Sequence, residues 1–251
     1  MRASGLTAGA RPACPGLGQM ACRLERRADG LVRGSGERLR QVGPVARSLD
    51  LLGERWTLLV VRELLLGPKR FKDLLSALPA MGTNRLASRL KGLEAAGVIA
   101  RRTLPAPAEV QVYELTEHGE RLRPVIYCLG AWGSELPLGD DVDRGRARAE
   151  LMALGLSATS PPALSAELEE TYEFHVADEL FHVDVALGTV TVRSGPAPVT
   201  ADLLVRCDLA TFLELVTGAV TPSRAARRGL TRAFQLLNYR HASRDLRLVA
   251  V

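Results

Sequence analysis

The stretch from Met81 to Gly97 constrains the fold most strongly, because its apolar residues recur at helical spacing. At about 100° per residue, Leu86, Leu90 and Leu93 fall on one narrow stripe of a helix. The opposite side carries polar residues, none of them acidic: Asn84, Arg85, Ser88 and Lys91, flanked by Thr83 and Arg89. The pattern predicts an amphipathic helix with a donor-rich outer face.

A polar helix face without carboxylates is unusual, because ordinary surface helices mix charges of both signs. A helix that enters the major groove of DNA needs donors for phosphate oxygens and base edges, and it avoids acidic groups there. We therefore interpret Thr83 to Ala96 as a DNA recognition helix. For this helix taken alone, a solvated basic surface is the alternative.

The neighbouring elements favour the first interpretation. Three helices are predicted upstream: Pro44 to Gly53, Trp56 to Leu66, and Phe71 to Leu78. Downstream, two strands flank a proline-containing tip: Val98 to Thr103 and Val110 to Leu115. A hairpin that follows a recognition helix is a wing, so residues 44–135 are predicted to form a winged helix-turn-helix domain.

One more helix is predicted after the wing, starting at Thr116 and ending at Gly133. It carries a broad apolar stripe: Leu122, Val125, Ile126, Leu129 and Trp132. Such a stripe is more than a small winged-helix core can bury, so we expect helix-against-helix dimerisation. Packing of the stripe against the first helix of the same chain is the alternative.

Composition limits the partners of this chain. Its 251 residues are 47% apolar, which leaves room for two compact domains. The formal charge is +5, and residues 44–102 hold 11 cations against 5 anions. A polyanionic partner is therefore expected to contact this region. Residues 1–43 are rich in Gly, Ala and Arg and are expected to be a disordered basic extension, with Met20 as a second candidate start.

Several functional classes have little support. No hydrolase, phosphate-loop, dinucleotide or paired-carboxylate motif is visible, so the chain is not expected to be an enzyme or to need a cofactor. Cys14, Cys22, Cys128 and Cys207 lack the spacing of a zinc site, and reduced thiols are the default. No apolar run approaches the roughly 20 residues of a membrane helix. A cytoplasmic protein without a membrane partner is expected.

The second half is predicted to be α+β. A partly helical linker, residues 136–162, precedes a domain spanning residues 163–251. The predicted elements are a hairpin with strands Phe181 to Leu187 and Thr189 to Arg193, a strand from Ala201 to Cys207, a helix from Leu209 to Thr217 capped by Asp208, a helix from Thr221 through Arg228, and an apolar helical segment from Leu230 to Tyr239.

Apolar residues of this half either line a cavity or fill an ordinary core: Phe174, Phe181, Val183, Phe212, Leu213, Val216 and Phe234. His175 and His182 raise the question of a pH-sensitive or metal site. Histidines near strands are more often simply hydrogen-bonded, and we expect that arrangement here.

The first domain resembles the HxlR branch of the MarR-like winged-helix transcription factors. The resemblance lies in residues 44–53, Arg55 to Leu59, Arg62 to Leu64, Gly67 to Phe71, Gly82 to Leu86, Leu90 to Gly97, Tyr113 to Thr116 and Ala131 to Gly133. It implies a dimeric DNA-binding repressor or activator. Many members carry a redox-sensing cysteine directly before the Pro-Val pair, and Gly43 occupies that place here.

The second domain resembles a sterol-carrier-protein domain. The similar segments are Phe181 to Gly188, Gly195, Ala201 to Leu203 and Leu209 to Gly218, whereas Gly229 to Tyr239 departs from the pattern. The resemblance implies a tunnel for lipid-like molecules between a sheet and helices. An apolar small molecule is then a candidate effector.

Together these features predict a homodimeric regulator that binds double-stranded DNA. Base edges are assigned to Asn84, Arg85 and Ser88, with Thr83 beside them. Phosphate contacts are assigned to six cations: Lys69, Arg70, Arg89, Lys91, Arg101 and Arg102. The alternative is a carrier of lipids or hydrophobic metabolites, or a protein-interaction module, in which the winged helix serves only for assembly.

Overall fold

The computed structural model describes residues 41–137, 147–157, 169–216, 219 and 234–235. The first half has the predicted order of elements. They are α1 (Pro44–Leu52), α2 (Thr57–Leu65), α3 (Phe71–Ala77), a 3-10 turn (Pro79–Met81), α4 (Thr83–Ala95), β1 (Ile99–Thr103), β2 (Gln111–Leu115), α5 (Glu117–Glu120) and α6 (Arg123–Ser134). β1 and β2 pair antiparallel and form the wing.

Helix α4 is fixed on the domain by its leucine stripe. Leu86, Leu90 and Leu93 are each at most 1% exposed, and they join the core formed with α2 and α3. Gly82 and Gly97 bracket the helix with φ angles of 74° and 69°, a backbone region that strongly favours glycine. The predicted amphipathic helix is confirmed.

The single helix predicted after the wing is instead two helices. Thr116 caps α5, since its Oγ1 accepts a hydrogen bond from Gly119 N at 3.1 Å. A Cβ at Gly119 would lie 2.0 Å from the Val98 carbonyl oxygen, so this tight contact requires glycine. Pro124 then stands at the start of α6, where its missing N–H costs nothing.

The second half is α+β, as predicted. Its elements are α7 (Ala149–Ser157), β3 (Glu170–Val176), β4 (Glu179–Ala186), β5 (Thr189–Ser194), β6 (Leu203–Cys207), α8 (Leu209–Val216) and β7 (Phe234–Gln235). They include a five-stranded sheet with the order β5-β4-β3-β6-β7, in which only β3 and β6 run parallel. Asp208 caps α8, because its Oδ1 accepts from Thr211 N at 2.7 Å.

Three sequence expectations need correction. Strand β3 was not predicted, although it lies at the centre of the sheet. Helix α7 falls within the predicted linker, yet Ala149 and Leu154 are buried in the second core. Phe234 and Gln235 form a strand within the segment predicted as helical, because they pair with β6. The helix expected from Thr221 through Arg228 and the extension before residue 41 lie outside the described residues.

The two domains share a hydrophobic core. Leu65 and Leu66, at the end of α2, are fully buried among residues of α7, β4, β5 and α8. The Ser194 amide donates to the Leu66 carbonyl at 2.8 Å. Helix α7 packs on β4, β5 and α8 and also contacts α6. The N-terminal half and the C-terminal half are therefore held in one arrangement. Within the described ranges, every helix falls short of the length and apolarity needed to cross a membrane.

Candidate nucleic-acid interface

The polar face of α4 lies on the surface of the subunit. Thr83, Asn84, Arg85, Ser88 and Lys91 are all exposed, whereas the leucines of the same helix are buried. The buried stripe fixes the rotation of α4, so these side chains point away from the core as a group. The structure thus presents a row of hydrogen-bond donors free of carboxylates along the outer side of the helix.

An open groove runs beside the first turns of α4. Its walls come from α4 and from the loop between α1 and α2, with the 3-10 turn at one side. The lining residues are Glu54, Trp56, Met81, Asn84, Arg85, Ser88 and Arg89. Glu54 and Trp56 were not predicted as site residues, because loop residues follow no periodic pattern and nothing in the sequence indicates which helix they face.

Arg89 is the predicted phosphate contact whose surroundings differ most from the expectation. Its Nη2 lies 2.6 Å from Oε1 of Glu54, and its side chain is only 13% exposed. The guanidinium is thus bound to a carboxylate within the groove. Arg89 ties the α1–α2 loop to the recognition helix.

The two wing cations are exposed but paired. Arg101 lies 3.0 Å from Glu94, and Arg102 lies 2.9 Å from Glu114. Arg101 also lies over the ring of Tyr113, at 5.3 Å from its centroid. Exposed ion pairs of this kind stabilise a protein by at most about 1 kcal/mol. Both arginines can therefore exchange their carboxylates for phosphates at low cost.

Lys69 and Arg70 occupy the turn between α2 and α3. Lys69 Nζ donates to Ser194 Oγ at 3.0 Å, which places its ammonium group at the junction of the two domains. Arg70 is partly buried, and its backbone N–H donates to Asp73 Oδ2 at 3.1 Å at the start of α3. The contact to Ser194 competes with the phosphate contact expected of Lys69.

A buried carboxylate organises the polar part of the domain junction. Glu63 of α2 is fully buried and accepts hydrogen bonds from Arg62 and Arg148, each at 2.7 Å. Arg148 also pairs with Glu150, which in turn accepts a hydrogen bond from Ser194. Burial by itself lowers the pKa of Arg148, but the two carboxylates outweigh it and raise that pKa above its ordinary value. Arg148 therefore carries its charge wherever the protein is folded.

Three of the residues assigned to a ligand cavity, Phe174, Phe181 and Phe212, form a packed aromatic group. Phe174 and Phe181 stack with their centroids 5.0 Å apart, and Phe212 meets both rings edge-on at 6.1 and 5.9 Å. Phe181 is fully buried. The remaining members are Val183 (buried), Leu213 and Val216 (half-buried) and Phe234 (in β7). This arrangement corresponds to the ordinary-core alternative for the described part of the domain.

The two histidines are hydrogen-bonded within the sheet. His175 Nε2 lies 2.7 Å from Glu173 Oε1, and His182 Nδ1 lies 3.0 Å from the Gly195 carbonyl oxygen. The hydrogen bond from His175, followed by one from the Ala197 amide, lowers the pKa of the Glu173 carboxyl. The expectation of hydrogen-bonded histidines is confirmed.

The outer faces of α1 and α6 expose large apolar side chains. In α6, the face with Leu122 and Ile126 packs on the first core, and the adjacent face remains open. The exposed residues and their exposed fractions are Val45 (74%), Leu49 (49%), Val125 (48%), Leu129 (46%) and Trp132 (60%). Packing within the chain therefore covers only part of the predicted stripe.

A recognition helix on a three-helix core, followed by a wing, defines the winged helix-turn-helix class of DNA-binding proteins. Residues 51–138 match the model of the HxlR-like helix-turn-helix family. The chain is 38% identical to the HTH-type transcriptional regulator YodB of Bacillus subtilis, over 35% of this chain and 79% of that protein. It is 37% identical to the uncharacterized regulator YvaP of the same organism, over 36% of this chain and 82% of that protein. The chain therefore belongs to the HxlR-like helix-turn-helix family of transcriptional regulators.

The reduced form of YodB from B. subtilis is a similar solved structure, with 35% identity over 41% of this chain and all of that chain. Its TM-score is 0.34, so the family assignment rests on sequence identity. Residues 150–231 match the SCP-2 sterol transfer family. The architecture is thus a winged helix-turn-helix domain followed by an SCP-2-type domain, as expected from the sequence.

Proposed function

We propose that this protein is a homodimeric transcriptional regulator that reads double-stranded DNA with α4. One observation carries the proposal: the buried leucine stripe turns Thr83, Asn84, Arg85, Ser88 and Lys91 outward as an exposed row of donors, and none of the five is acidic. In this role the protein binds and does not catalyse, and it acts in the cytoplasm, where genomic DNA is accessible. Membership of the HxlR-like family supports the same conclusion.

The contacts divide into base readout and phosphate positioning. Asn84, Arg85 and Ser88 lie at the first turns of α4, the part of a recognition helix that reaches base edges. Each bidentate contact of this kind contributes about 1–3 kcal/mol of discrimination. Lys91 and the wing arginines, Arg101 and Arg102, contact phosphates and set the salt dependence.

The dimer forms through the exposed faces of α1 and α6. These faces carry large apolar side chains that are exposed in one subunit. The bulkiest of them, Trp132, is 60% exposed. Burying these side chains against a second copy removes apolar surface from water, which stabilises the dimer by about 25 cal/mol for each Å² buried. The two copies of α4 then enter successive major grooves about one helical turn apart.

An apolar small molecule in the C-terminal domain regulates this dimer. The match to the SCP-2 sterol transfer family supports the chemistry of the ligand. The contacts of α7 link the ligand-binding domain to α6, the helix assigned to the dimer. Helix α7 packs on the sheet and α8 and also contacts α6, and Ser157 Oγ donates to Tyr127 OH at 3.1 Å. For the ligand to regulate DNA binding, the dimer must adopt two spacings of its recognition helices, and the ligand must bind the protein more tightly in one of them.

Mobility-shift titration with Arg85→Ala tests the proposal. The variant is expected to lose discrimination between operator and mismatched DNA, because a base contact is removed. Arg121→Ala is the matched control, since Arg121 is an exposed arginine in the turn between α5 and α6. If the protein instead acts as a carrier or an assembly module, wild type and both variants will be equally indifferent to DNA at physiological salt.

A further inference from the structure

The groove beside α4 contains one acidic residue, Glu54, among the residues that line it. Its carboxylate lies 2.6 Å from the Arg89 guanidinium, and the Glu54 side chain is 37% exposed. Arg85 and Asn84 line the same groove from α4. A carboxylate this close to a DNA-reading surface repels phosphates, so its position requires a functional or structural reason.

We propose that Glu54 sets the strength of DNA binding by withholding the charge of Arg89 from DNA phosphates. This inference rests on the proposed DNA-binding function of α4. The ion pair keeps Arg89 bound on the protein side of the groove. Base readout by Asn84 and Arg85 proceeds beside it, through side chains that are exposed.

Phosphate contacts strengthen the binding of correct and incorrect DNA alike. Nonspecific binding comes almost entirely from cations on phosphates, and each such contact adds about 0.9 to the slope of log affinity against log salt. Sequestering one arginine lowers affinity for every sequence, but it leaves the base contacts in place. Because this reduction is common to operator and unrelated DNA, it lowers the affinity and the salt dependence of binding without changing the ratio of the two affinities.

The other ion pairs near the DNA-binding surface differ from this one. The side chains of Arg101 and Arg102 are 42% and 48% exposed, whereas that of Arg89 is 13% exposed. A phosphate can reach the wing arginines directly from solvent. To reach Arg89, a phosphate must first displace the Glu54 carboxylate inside the groove, and that carboxylate repels it because both groups are negatively charged.

The test compares Glu54→Gln with wild type in salt titrations on operator and unrelated DNA. Loss of the carboxylate frees Arg89 for one phosphate, so the salt slope is expected to steepen by about 0.9. Affinity rises roughly five-fold at 0.15 M salt on the same relation for operator and unrelated DNA alike, and the ratio of the two affinities is expected to stay at its wild-type value. Glu54→Asp keeps the charge and is expected to restore the wild-type slope. In Glu54→Gln/Arg89→Gln the extra slope disappears.

Two results overturn the proposal. If Glu54→Gln weakens binding to both DNAs while Glu54→Asp restores it, the ion pair only stabilises the fold. If Glu54→Gln weakens operator binding alone, the carboxylate instead accepts a hydrogen bond from a base. Thermal denaturation of each variant identifies any that unfold. Arg89→Gln then remains as the test, because its salt slope is expected to equal that of wild type, and a slope shallower by about 0.9 would show that Arg89 binds a phosphate. Failure of the DNA-binding function itself is separate, because wild type would then show no sequence preference.

Discussion

Arg148 Nη1 donates a hydrogen bond to Glu63 Oε2 at 2.7 Å, and this contact joins the residue before α7 to the buried side of α2. Leu65 and Leu66 continue the same junction as apolar contacts, since both lie in the core of the C-terminal half. A carboxylate that is fully buried must keep its partners, because an unpaired buried charge is costly. The two domains are therefore expected to unfold together.

Arg148→Ala tests this coupling. The substitution leaves Glu63 with Arg62 as its partner and removes this one ion pair between the domains. We expect the free energy of unfolding to fall by about 2 kcal/mol, the usual cost of depriving a buried charged group of a partner. Urea denaturation monitored by far-UV circular dichroism measures the free energy of unfolding. Wild type should show a single transition.

Arg121→Ala provides the control for Arg148→Ala. Arg121 and Glu117 form an exposed pair at 3.7 Å, which is expected to contribute less than about 0.5 kcal/mol. Equal losses for the two variants, or separate transitions of the two domains in wild type, would show that the junction does not couple them.

Trp132→Glu is expected to convert the dimer into a monomer. The side chain is 60% exposed in one subunit and lies on the face of α6 assigned to the dimer, so a charge there must be buried on association. Sedimentation velocity measures the change. Val199→Glu places the same charge at another exposed apolar residue, 61% exposed in the C-terminal domain, and should leave the dimer intact. A wild-type monomer at micromolar concentration contradicts the assignment.

Cys207 is expected to be unreactive in the folded protein. Burial, followed by the charge of Asp208, raises the pKa of this thiol to about 11. Only the thiolate reacts, so alkylation by iodoacetamide at pH 7.5 should be at least about 100-fold slower than in urea. Measurement requires a background in which Cys14, Cys22 and Cys128 are serine. Equal rates in the folded and unfolded protein would reveal an accessible thiolate, and Cys207 would then be a candidate redox sensor.

Glu173 is expected to make stability depend on pH in the acid range. Hydrogen bonds from His175 and the Ala197 amide lower its pKa below the ordinary value of 4.5. A carboxyl whose pKa is lower in the folded state stabilises it above the unfolded pKa, and this contribution is lost as pH falls through the folded pKa. Glu173→Gln should therefore be less stable than wild type at pH 7, with the difference shrinking below pH 4.5.

Urea unfolding across that pH range measures the effect of Glu173→Gln. The matched control is Glu117→Gln, because the Glu117 side chain is 95% exposed and should leave the pH profile unchanged. A difference between wild type and Glu173→Gln that stays constant with pH would assign the effect to packing.

The sequence was sufficient to predict α4 and its orientation, because a leucine stripe specifies both the helix and its buried side. It did not reveal the junction between the domains. Glu63 and Arg148 are 85 residues apart, and no local pattern links a carboxylate inside an apolar helix to a distant arginine. The contacts that bury α7 also come from residues distant in sequence, so the local pattern assigns α7 to a linker.

The DNA-binding residues show a similar division. Periodicity identified the exposed face of α4, including Asn84 and Arg85, because helical spacing is encoded locally. It could not show that Glu54 binds Arg89 or that Lys69 contacts Ser194, since those pairs depend on how separate elements pack. Two of the cations predicted to contact phosphates, Arg89 and Lys69, therefore contact protein groups that their sequence positions do not reveal.

Pull-down of fragmented genomic DNA with the purified protein, followed by sequencing, shows whether α4 reads DNA sequence. Wild type is expected to enrich fragments sharing a two-fold symmetric motif, with half-sites about one helical turn apart. Arg85→Ala is predicted to lose this enrichment, and Arg121→Ala is predicted to keep it. Fragments without a shared motif, or equal enrichment by Arg85→Ala, would contradict the assignment of α4 as the helix that reads DNA.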